Sequence, residues 1–186
     1  AKRDQIIETT CQLMELQGYH ATGLNQILAE SGAPKGSLYY YFPNGKEALA
    51  SEAIERSSKL IEARMRSVMS EITDPITAVT TFITALAEQV DRSGYRAGGP
   101  ITAIAIESAS TNDALRTACH QAYQLWQNVI AAKLSQGNFD QARAERLAAI
   151  IISALEGGIL LSRTQRSPQP LLDIAAEIGV LLRCSP

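Results

Sequence analysis

Apolar residues recur along this chain with the three-to-four-residue spacing of amphipathic helices. No stretch alternates apolar and polar residues with the β-branched enrichment of a strand. In the first segment, about residues 4–17, the apolar stripe consists of Ile6, Ile7, Leu13, Met14 and Leu16. Gly18 is placed to end that helix. The pattern therefore predicts an all-α protein.

Capping and helix-breaking residues divide the rest of the pattern into eight further predicted helices. Thr22 is predicted to cap a short second helix, which the sequence Ser-Gly-Ala-Pro at 31–34 ends. Pro34 suits the first position of a third helix, and Asn44 with Glu47 forms a capping-box-like start for the fourth. The remaining predicted bounds are about 45–69, 75–92, 100–110, 113–135 and 141–165, with a ninth helix from the turn at 166–170 to about residue 183.

The second and third predicted helices, joined by a glycine-containing turn, form a helix-turn-helix arrangement. Leu38 and Phe42 lie four residues apart, so both are predicted to face a small core with Ile27. The residues left on or near the outer faces are Lys35, Ser37, Tyr39, Tyr40 and Tyr41.

This outer face has the chemistry of a nucleic-acid contact. A tyrosine ring packs on sugars and thymine methyl groups, and its hydroxyl donates to a phosphate oxygen. Lys35 lies in the first turn, where a recognition helix meets base edges, and Gly36 permits close backbone approach. Lys46 can hold a phosphate together with free N–H groups at the start of the fourth helix. The alternative is that the tyrosines are rim residues over a small core.

Composition narrows the class of protein without deciding its function. The 186 residues are 46% hydrophobic and carry a net charge of −2, so no basic excess indicates nucleic acid. A few placed cations are nevertheless enough to hold phosphates. Three scattered cysteines and a polar, charged start without a signal peptide favour a reducing cytoplasm. The most apolar stretch, 147–161, is interrupted and too short for a membrane span.

Residues 18–49 resemble the DNA-binding signature of TetR-type transcriptional regulators. The matching positions are Gly18, Tyr19, Thr22, Ile27, Gly32, Lys35, Gly36, Ser37, Leu38, Tyr39, Phe42, Lys46, Glu47 and Leu49. The resemblance implies that Thr22 contacts phosphate and that Lys35, Gly36 and Tyr40 approach bases. It also implies that Ser37, Tyr39, Tyr41 and Lys46 hold the DNA backbone.

Three positions depart from that signature. Pro34 stands where serine is common, Gly23 follows Thr22 where a second hydroxyl is common, and the link before Lys46 is one residue longer than usual. The longer link and the later sequence GGPITAIAIE resemble the LmrA/YxaF-like subgroup, whose members regulate drug-efflux genes.

The last two predicted helices are apolar nearly all round, and such helices need cover on every face. A second copy of the chain can supply that cover, so we predict a homodimer. The predicted interface residues are Ile151, Leu155, Gly158, Ile159, Leu172, Ala176 and Ile178. The alternative is that both helices are simply central in their own domain.

The middle helices are rich in small residues, which leave room for an apolar or aromatic small-molecule effector. The predicted lining is Met65, Met69, Phe82, Glu107, Cys119, Tyr123, Trp126 and Glu156. Ordinary core packing or a solvated face is the alternative for each of these positions.

No arrangement of residues typical of an enzyme is present in the sequence, and no cofactor or metal is predicted. We therefore predict a cytoplasmic regulator that binds a double-stranded DNA operator and has no membrane partner. Residues 1–46 form its helix-turn-helix domain, and residues 47–186 form its helical ligand-binding and dimerisation domain. We predict that it represses transcription from a palindromic operator and that a small-molecule inducer relieves this repression. The alternative function is a helical small-molecule carrier or adaptor that does not bind DNA.

Overall fold

A computed structural model describes residues 2–184, and within them the chain forms nine α-helices and no strand. The helices are α1 Lys2–Ala21, α2 Leu24–Ser31, α3 Lys35–Tyr41, α4 Gly45–Glu71, α5 Pro75–Arg92, α6 Thr102–Ser108, α7 Asp113–Leu134, α8 Gln141–Gln165 and α9 Gln169–Arg183. The prediction of an all-α fold is confirmed.

The helix starts near the predicted helix-turn-helix differ from the predictions. Gly23 is the N-cap of α2, with no side-chain cap, so the prediction that Thr22 caps this helix is wrong. The prediction that Pro34 is the first residue of α3 is wrong by one position, because Pro34 is the N-cap and the helix begins at Lys35. The helical geometry of α1 breaks at Gly18, whose φ of 82° lies in the region that favours glycine. The predicted break at this glycine is therefore confirmed.

Aspartate side chains cap two of the longer helices. Asp74 is the N-cap of α5 and accepts a hydrogen bond from the Thr77 amide at 2.7 Å. Asp140 caps α8 in the same way, through the amide of Arg143. Glu47 at the start of α4 accepts a hydrogen bond from the Asn112 side chain, a contact that the capping-box prediction did not include.

The chain divides into two compact units, whose dividing lines fall inside α4, in the loop between α5 and α6, and inside α7. Among the described residues, one unit comprises 2–60 with 99–122, and the other comprises 61–98 with 123–184. In the first unit, α1 packs against α2, α3 and α6. Its core consists of Ile6, Ile7, Leu13, Ile27, Ala33, Leu38, Phe42 and Leu49. The domain boundary between residues 46 and 47 stays a prediction.

In the second unit, α5, α8 and α9 pack against one another. Gly158 permits the close approach of α8 and α9, because a Cβ at this position would lie 2.8 Å from a methyl carbon of Leu171. Within the described residues, α8 is the single helix long and apolar enough to cross a membrane by length and composition. The prediction that this region is too short is wrong, since α8 has 25 residues. In α8, 44% of that apolar window is buried inside the chain, and the core helix of a soluble protein passes the same test of length and composition.

Candidate nucleic-acid interface

The short helix α3 separates a buried face from an exposed one. Leu38 and Phe42 are 0% and 1% exposed and belong to the core of the first unit. The three tyrosines between them point outward, with exposed fractions of 48% for Tyr39, 80% for Tyr40 and 37% for Tyr41. The predicted orientation of these five side chains is therefore the one that the structure has.

The remaining predicted contact residues of α3 are at its start. Lys35 and Gly36 are exposed, and Ser37 is half-buried. A Cβ built on Gly36 would meet no atom within 4 Å, so the backbone here is open to an approaching partner. Together with the tyrosines, these residues form one surface, the outer face of α3: Lys35, Gly36, Ser37, Tyr39, Tyr40 and Tyr41.

Gly32 sets the direction in which α3 leaves α2. It is the C-cap of α2, with φ 62° and ψ 17°, which is the left-handed conformation. Glycine adopts this conformation without the steric cost that a Cβ imposes. The turn then continues through the buried Ala33 to Pro34, and this path brings Leu38 onto the same core as Ile27.

The outer tyrosines support one another at their edges. The rings of Tyr40 and Tyr41 are 5.1 Å apart in an edge-to-face arrangement, and the rings of Tyr41 and Phe42 are 6.5 Å apart. Edge-to-face pairs of this kind are favourable beyond their buried area. The buried Phe42 ring thus steadies Tyr41, and Tyr41 steadies Tyr40, the most exposed of the three.

Lys46 is held beside the end of α1, the residues that follow the kink at Gly18. Its ammonium lies 4.4 Å from the centre of the Tyr19 ring and donates to the His20 carbonyl at 3.3 Å. Partial burial lowers the pKa of Lys46, and the nearby Glu107 carboxylate opposes that shift. An ammonium has three donors, so the bond to His20 leaves capacity for a phosphate oxygen.

Thr22 has a different position from the one expected of a phosphate contact. It is fully buried, and its hydroxyl donates to the Gly18 carbonyl at 2.7 Å. Its amide donates to the Tyr19 carbonyl at 3.2 Å. Thr22 therefore closes the turn between α1 and α2 and presents no side-chain surface to DNA in this conformation.

The residues predicted to line an effector cavity are distributed over both units. Met65, Met69, Trp126 and Cys119 are buried, whereas Phe82, Tyr123 and Glu156 are half-buried. The structure brings Tyr123 and Trp126 together, with ring centres 5.5 Å apart. Burial raises the pKa of the Cys119 thiol to about 11, so this side chain is neutral at physiological pH. The Glu107 carboxylate accepts a hydrogen bond from the backbone amide of His20, at the end of α1.

Most residues of the predicted dimer interface pack within their own unit. Ile151, Leu155, Gly158, Ile159 and Ile178 are buried, Leu172 is half-buried and Ala176 is exposed. The exposed apolar and small positions on the two helices form a separate set, which we call the outer stripe of α8 and α9. Its members are Ile150, Gly157, Leu160, Leu161, Ala176 and Val180.

Contacts distant in sequence add residues that sequence reasoning missed. Glu107 of α6 accepts a hydrogen bond from the His20 amide at the end of α1, and the Asn112 side chain donates to Glu47. Arg3 places its guanidinium 5.6 Å from the centre of the Phe42 ring and pairs with Glu52. These partners are 39 to 87 residues apart in the chain, and no periodicity or local motif signals such pairs.

Two family descriptions match the chain. "Bacterial regulatory proteins, tetR family" matches residues 6–53, which include α2, α3 and Lys46. "Transcriptional regulator LmrA/YxaF-like, C-terminal domain" matches residues 75–177, more than half of the chain.

Two relatives from Bacillus subtilis (strain 168) are similar over nearly their whole length. The chain is 46% identical to the uncharacterized HTH-type transcriptional regulator YxaF, covering 97% of this chain and 95% of the relative. It is 41% identical to the HTH-type transcriptional regulator LmrA, covering 97% and 96%. A crystal structure of a TetR transcriptional regulator from Legionella pneumophila has a TM-score of 0.87, at 20% identity and 97% coverage of both chains. That last likeness concerns the fold.

Proposed function

The chain belongs to the tetR family of bacterial regulatory proteins, and from that membership we propose that it represses transcription until a small-molecule inducer releases it. It is a DNA-binding transcriptional regulator and not an enzyme, and its C-terminal part is LmrA/YxaF-like. The resemblance predicted from residues 18–49 is thereby confirmed. The repressor activity, the inducer and the form of the operator are the proposal.

The outer face of α3 is the observation that carries the proposed DNA contact. Its lysine and three tyrosines are exposed above a core that fixes the helix through Leu38 and Phe42. We assign Lys35, Gly36 and Tyr40 to base edges in the major groove, and Ser37, Tyr39 and Tyr41 to the sugar–phosphate backbone. Lys46, held at the neighbouring turn, supplies a phosphate contact.

A homodimer extends this contact to a palindromic operator. One recognition helix reads only a few base pairs, which is too little among the competing sites of a genome. The outer stripe of α8 and α9 leaves large apolar side chains exposed, with Leu160 57% and Val180 47% exposed. We propose that two such surfaces pair about a two-fold axis and place two α3 helices in successive major grooves, roughly 34 Å apart.

The proposed inducer changes DNA affinity by binding better to one conformation of the protein than to another. Helix α4 runs without a break from Gly45 to Glu71, from the end of the helix-turn-helix region into the second unit. An apolar or aromatic molecule that binds better to a state with a different spacing of the two α3 helices lowers the population able to bind DNA. The similarity of the C-terminal domain to LmrA/YxaF-like regulators supports efflux genes as the genes that this protein regulates. The proposed repression of such genes takes place in the cytoplasm.

Selection from a pool of random duplexes tests this proposal. We expect the purified protein to enrich an inverted repeat whose half-sites lie about 10 base pairs, or a multiple of one helical turn, apart. Recovery of no enriched sequence would contradict operator binding and favour a carrier or adaptor. Enrichment of a single asymmetric half-site would contradict the two-fold arrangement.

A further inference from the structure

Glu107 fills the space beside Gly18, where α1 loses its helical geometry. A Cβ built on Gly18 would overlap the Glu107 Oε1 atom and would lie 2.9 Å from the carboxylate carbon. Gly18 itself has φ 82°, a conformation strained for any other residue. The carboxylate of α6 is therefore seated directly on the backbone of the kink, and both the conformation and the space require glycine there.

The same carboxylate makes a directed hydrogen bond to the turn. Glu107 Oε2 accepts from the backbone amide of His20 at 2.7 Å, although the two residues are 87 positions apart. The His20 ring nitrogen Nε2 lies 3.4 Å from the Glu107 carbonyl oxygen. A hydrogen bond from an amide to a carboxylate is about twice as strong as one between neutral groups. Both contacts hold the end of α1, after the kink at Gly18, against α6.

His20 connects this contact to the proposed phosphate-binding lysine. Its carbonyl accepts from the Lys46 ammonium at 3.3 Å, and the neighbouring Tyr19 ring lies beneath that ammonium at 4.4 Å. A second contact ties the residues after α6 to the same region, because the Asn112 side chain donates to Glu47. Residues 107–112 thus contact both the end of α1 and the first turn of α4, and hold the two together.

On this basis we propose that Glu107 is a positioning residue for DNA binding. Its carboxylate fixes residues Gly18 to His20 at the end of α1, and these residues place Lys46 for contact with a phosphate. The inference rests on the proposed DNA contact of Lys46. It also gives α6 a means of influencing DNA affinity, since any displacement of Glu107 releases the His20 amide and alters the support of the lysine.

The proposal and simple charge repulsion predict opposite effects of removing Glu107. A carboxylate near DNA repels phosphate, so its loss alone should tighten binding. A positioning role predicts that Glu107→Ala weakens binding to the duplex selected by the wild-type protein, by about tenfold or more, because a charge-assisted hydrogen bond is lost. It also predicts a shallower salt dependence, by roughly 1.8 in the log–log slope, if one phosphate contact is lost in each of two subunits.

Two variants separate positioning from charge and from folding. Glu107→Gln keeps an acceptor for the His20 amide and removes the charge, so we expect wild-type or tighter binding and an unchanged salt slope. Glu30→Ala removes an exposed carboxylate of α2 whose hydrogen bond comes from Gln26 on the same helix, and we expect no loss of affinity. Hydrogen exchange of the His20 amide should be faster in Glu107→Ala and close to wild type in Glu107→Gln.

The outcomes distinguish this inference from the proposed function. If the wild-type protein selects a duplex and Glu107→Ala binds it as tightly or more tightly with an unchanged slope, the positioning role is wrong and DNA binding stands. Equal losses in Glu107→Ala and Glu107→Gln would show that charge, and not the hydrogen bond, matters, and would also overturn the inference. If the wild-type protein selects no duplex, the proposed function fails, and the inference fails with it.

Discussion

Gly36 illustrates how much a single position on the outer face of α3 can reveal. It is exposed, lies within a helix, and has open space where a side chain would project. Stability alone would favour alanine at such a position, because glycine costs more conformational entropy on helix formation. A close approach of the helix backbone to DNA would explain why glycine serves here.

We predict that Gly36→Ala separates stability from function. The free energy of unfolding should rise by about 0.5 kcal/mol, as helix propensity dictates. Affinity for the selected duplex should fall by about tenfold, since an added methyl group in a close contact is costly. Denaturant titration and fluorescence anisotropy measure the two quantities. A variant that is more stable and binds DNA normally would show that Gly36 does not approach the bases.

The outward placement of the tyrosines could be predicted from sequence, whereas the partners of Thr22 and Glu107 could not. Leu38 and Phe42 recur at helical spacing, so the positions between them had to face outward. The bond from the Thr22 hydroxyl to the Gly18 carbonyl depends on the kink in α1, and the bond from His20 to Glu107 depends on how α6 packs. Neither is a property of local spacing.

Two helices of this protein, α5 and α8, begin at an aspartate whose side chain accepts a hydrogen bond from a first-turn amide. Asp74 accepts from both the amide and the hydroxyl of Thr77 at the start of α5. The hydrogen bond from the Thr77 hydroxyl, and to a smaller extent that from its amide, hold the pKa of Asp74 below its ordinary value of 3.8. At α2 and α3 no side chain caps the helix, and the residues Gly23 and Pro34 occupy the N-cap by their extended backbone alone.

We predict that Asp74→Ala lowers the free energy of unfolding by about 1 kcal/mol at neutral pH, the usual contribution of an aspartate cap. Because the folded-state pKa is depressed, the carboxylate's contribution is complete above pH 3.8 and disappears as the pH falls through the folded value. The difference between wild type and variant should therefore shrink only in that acidic range.

Denaturant unfolding at several pH values measures this difference. Glu88→Ala, an exposed carboxylate of the same helix whose nearest cation is 3.9 Å away, is the matched control and should change stability little. An Asp74 variant as stable as the control would show that the cap contributes nothing.

Element bounds followed from local sequence because caps and breakers act within one helical turn. The bounds of α5 and α8 agree with the predicted 75–92 and 141–165. The errors of one residue at Thr22 and Pro34 have a common cause. Which residue is the N-cap is decided by the backbone path through the turn, and that path is set by the packing of α1 to α3 on their shared core.

At the scale of the whole molecule, the proposed pairing uses the face of α8 and α9 that is left uncovered. The sequence indicated that both helices are apolar all round but could not tell which face packs inside the chain. In the structure, Leu155 and Ile178 are buried, whereas Leu160, Leu161 and Val180 are exposed. In α8, Ile150, Gly157 and Leu161 follow one another at spacings of seven and four residues, and in α9 Ala176 and Val180 are four residues apart, so each set lies along one side of its helix.

We predict that Leu160→Glu disrupts the homodimer, because a charge at the centre of an apolar interface must be buried without a partner. Sedimentation at micromolar concentration should give the mass of one chain for the variant and of two chains for the wild type. Leu60→Glu places the same charge at a residue of α4 that is 54% exposed and should leave the dimer intact. A dimeric Leu160→Glu protein would place the interface elsewhere.

The central claim is that the outer face of α3 reads DNA, and the double variant Lys35→Ala/Tyr40→Ala tests it most directly. Both side chains are exposed, so their removal should leave the helical content and the oligomeric state unchanged. Electrophoretic mobility of the duplex selected by the wild-type protein is the measurement. The account predicts that the variant no longer retards this duplex; retardation at the wild-type concentration would contradict it.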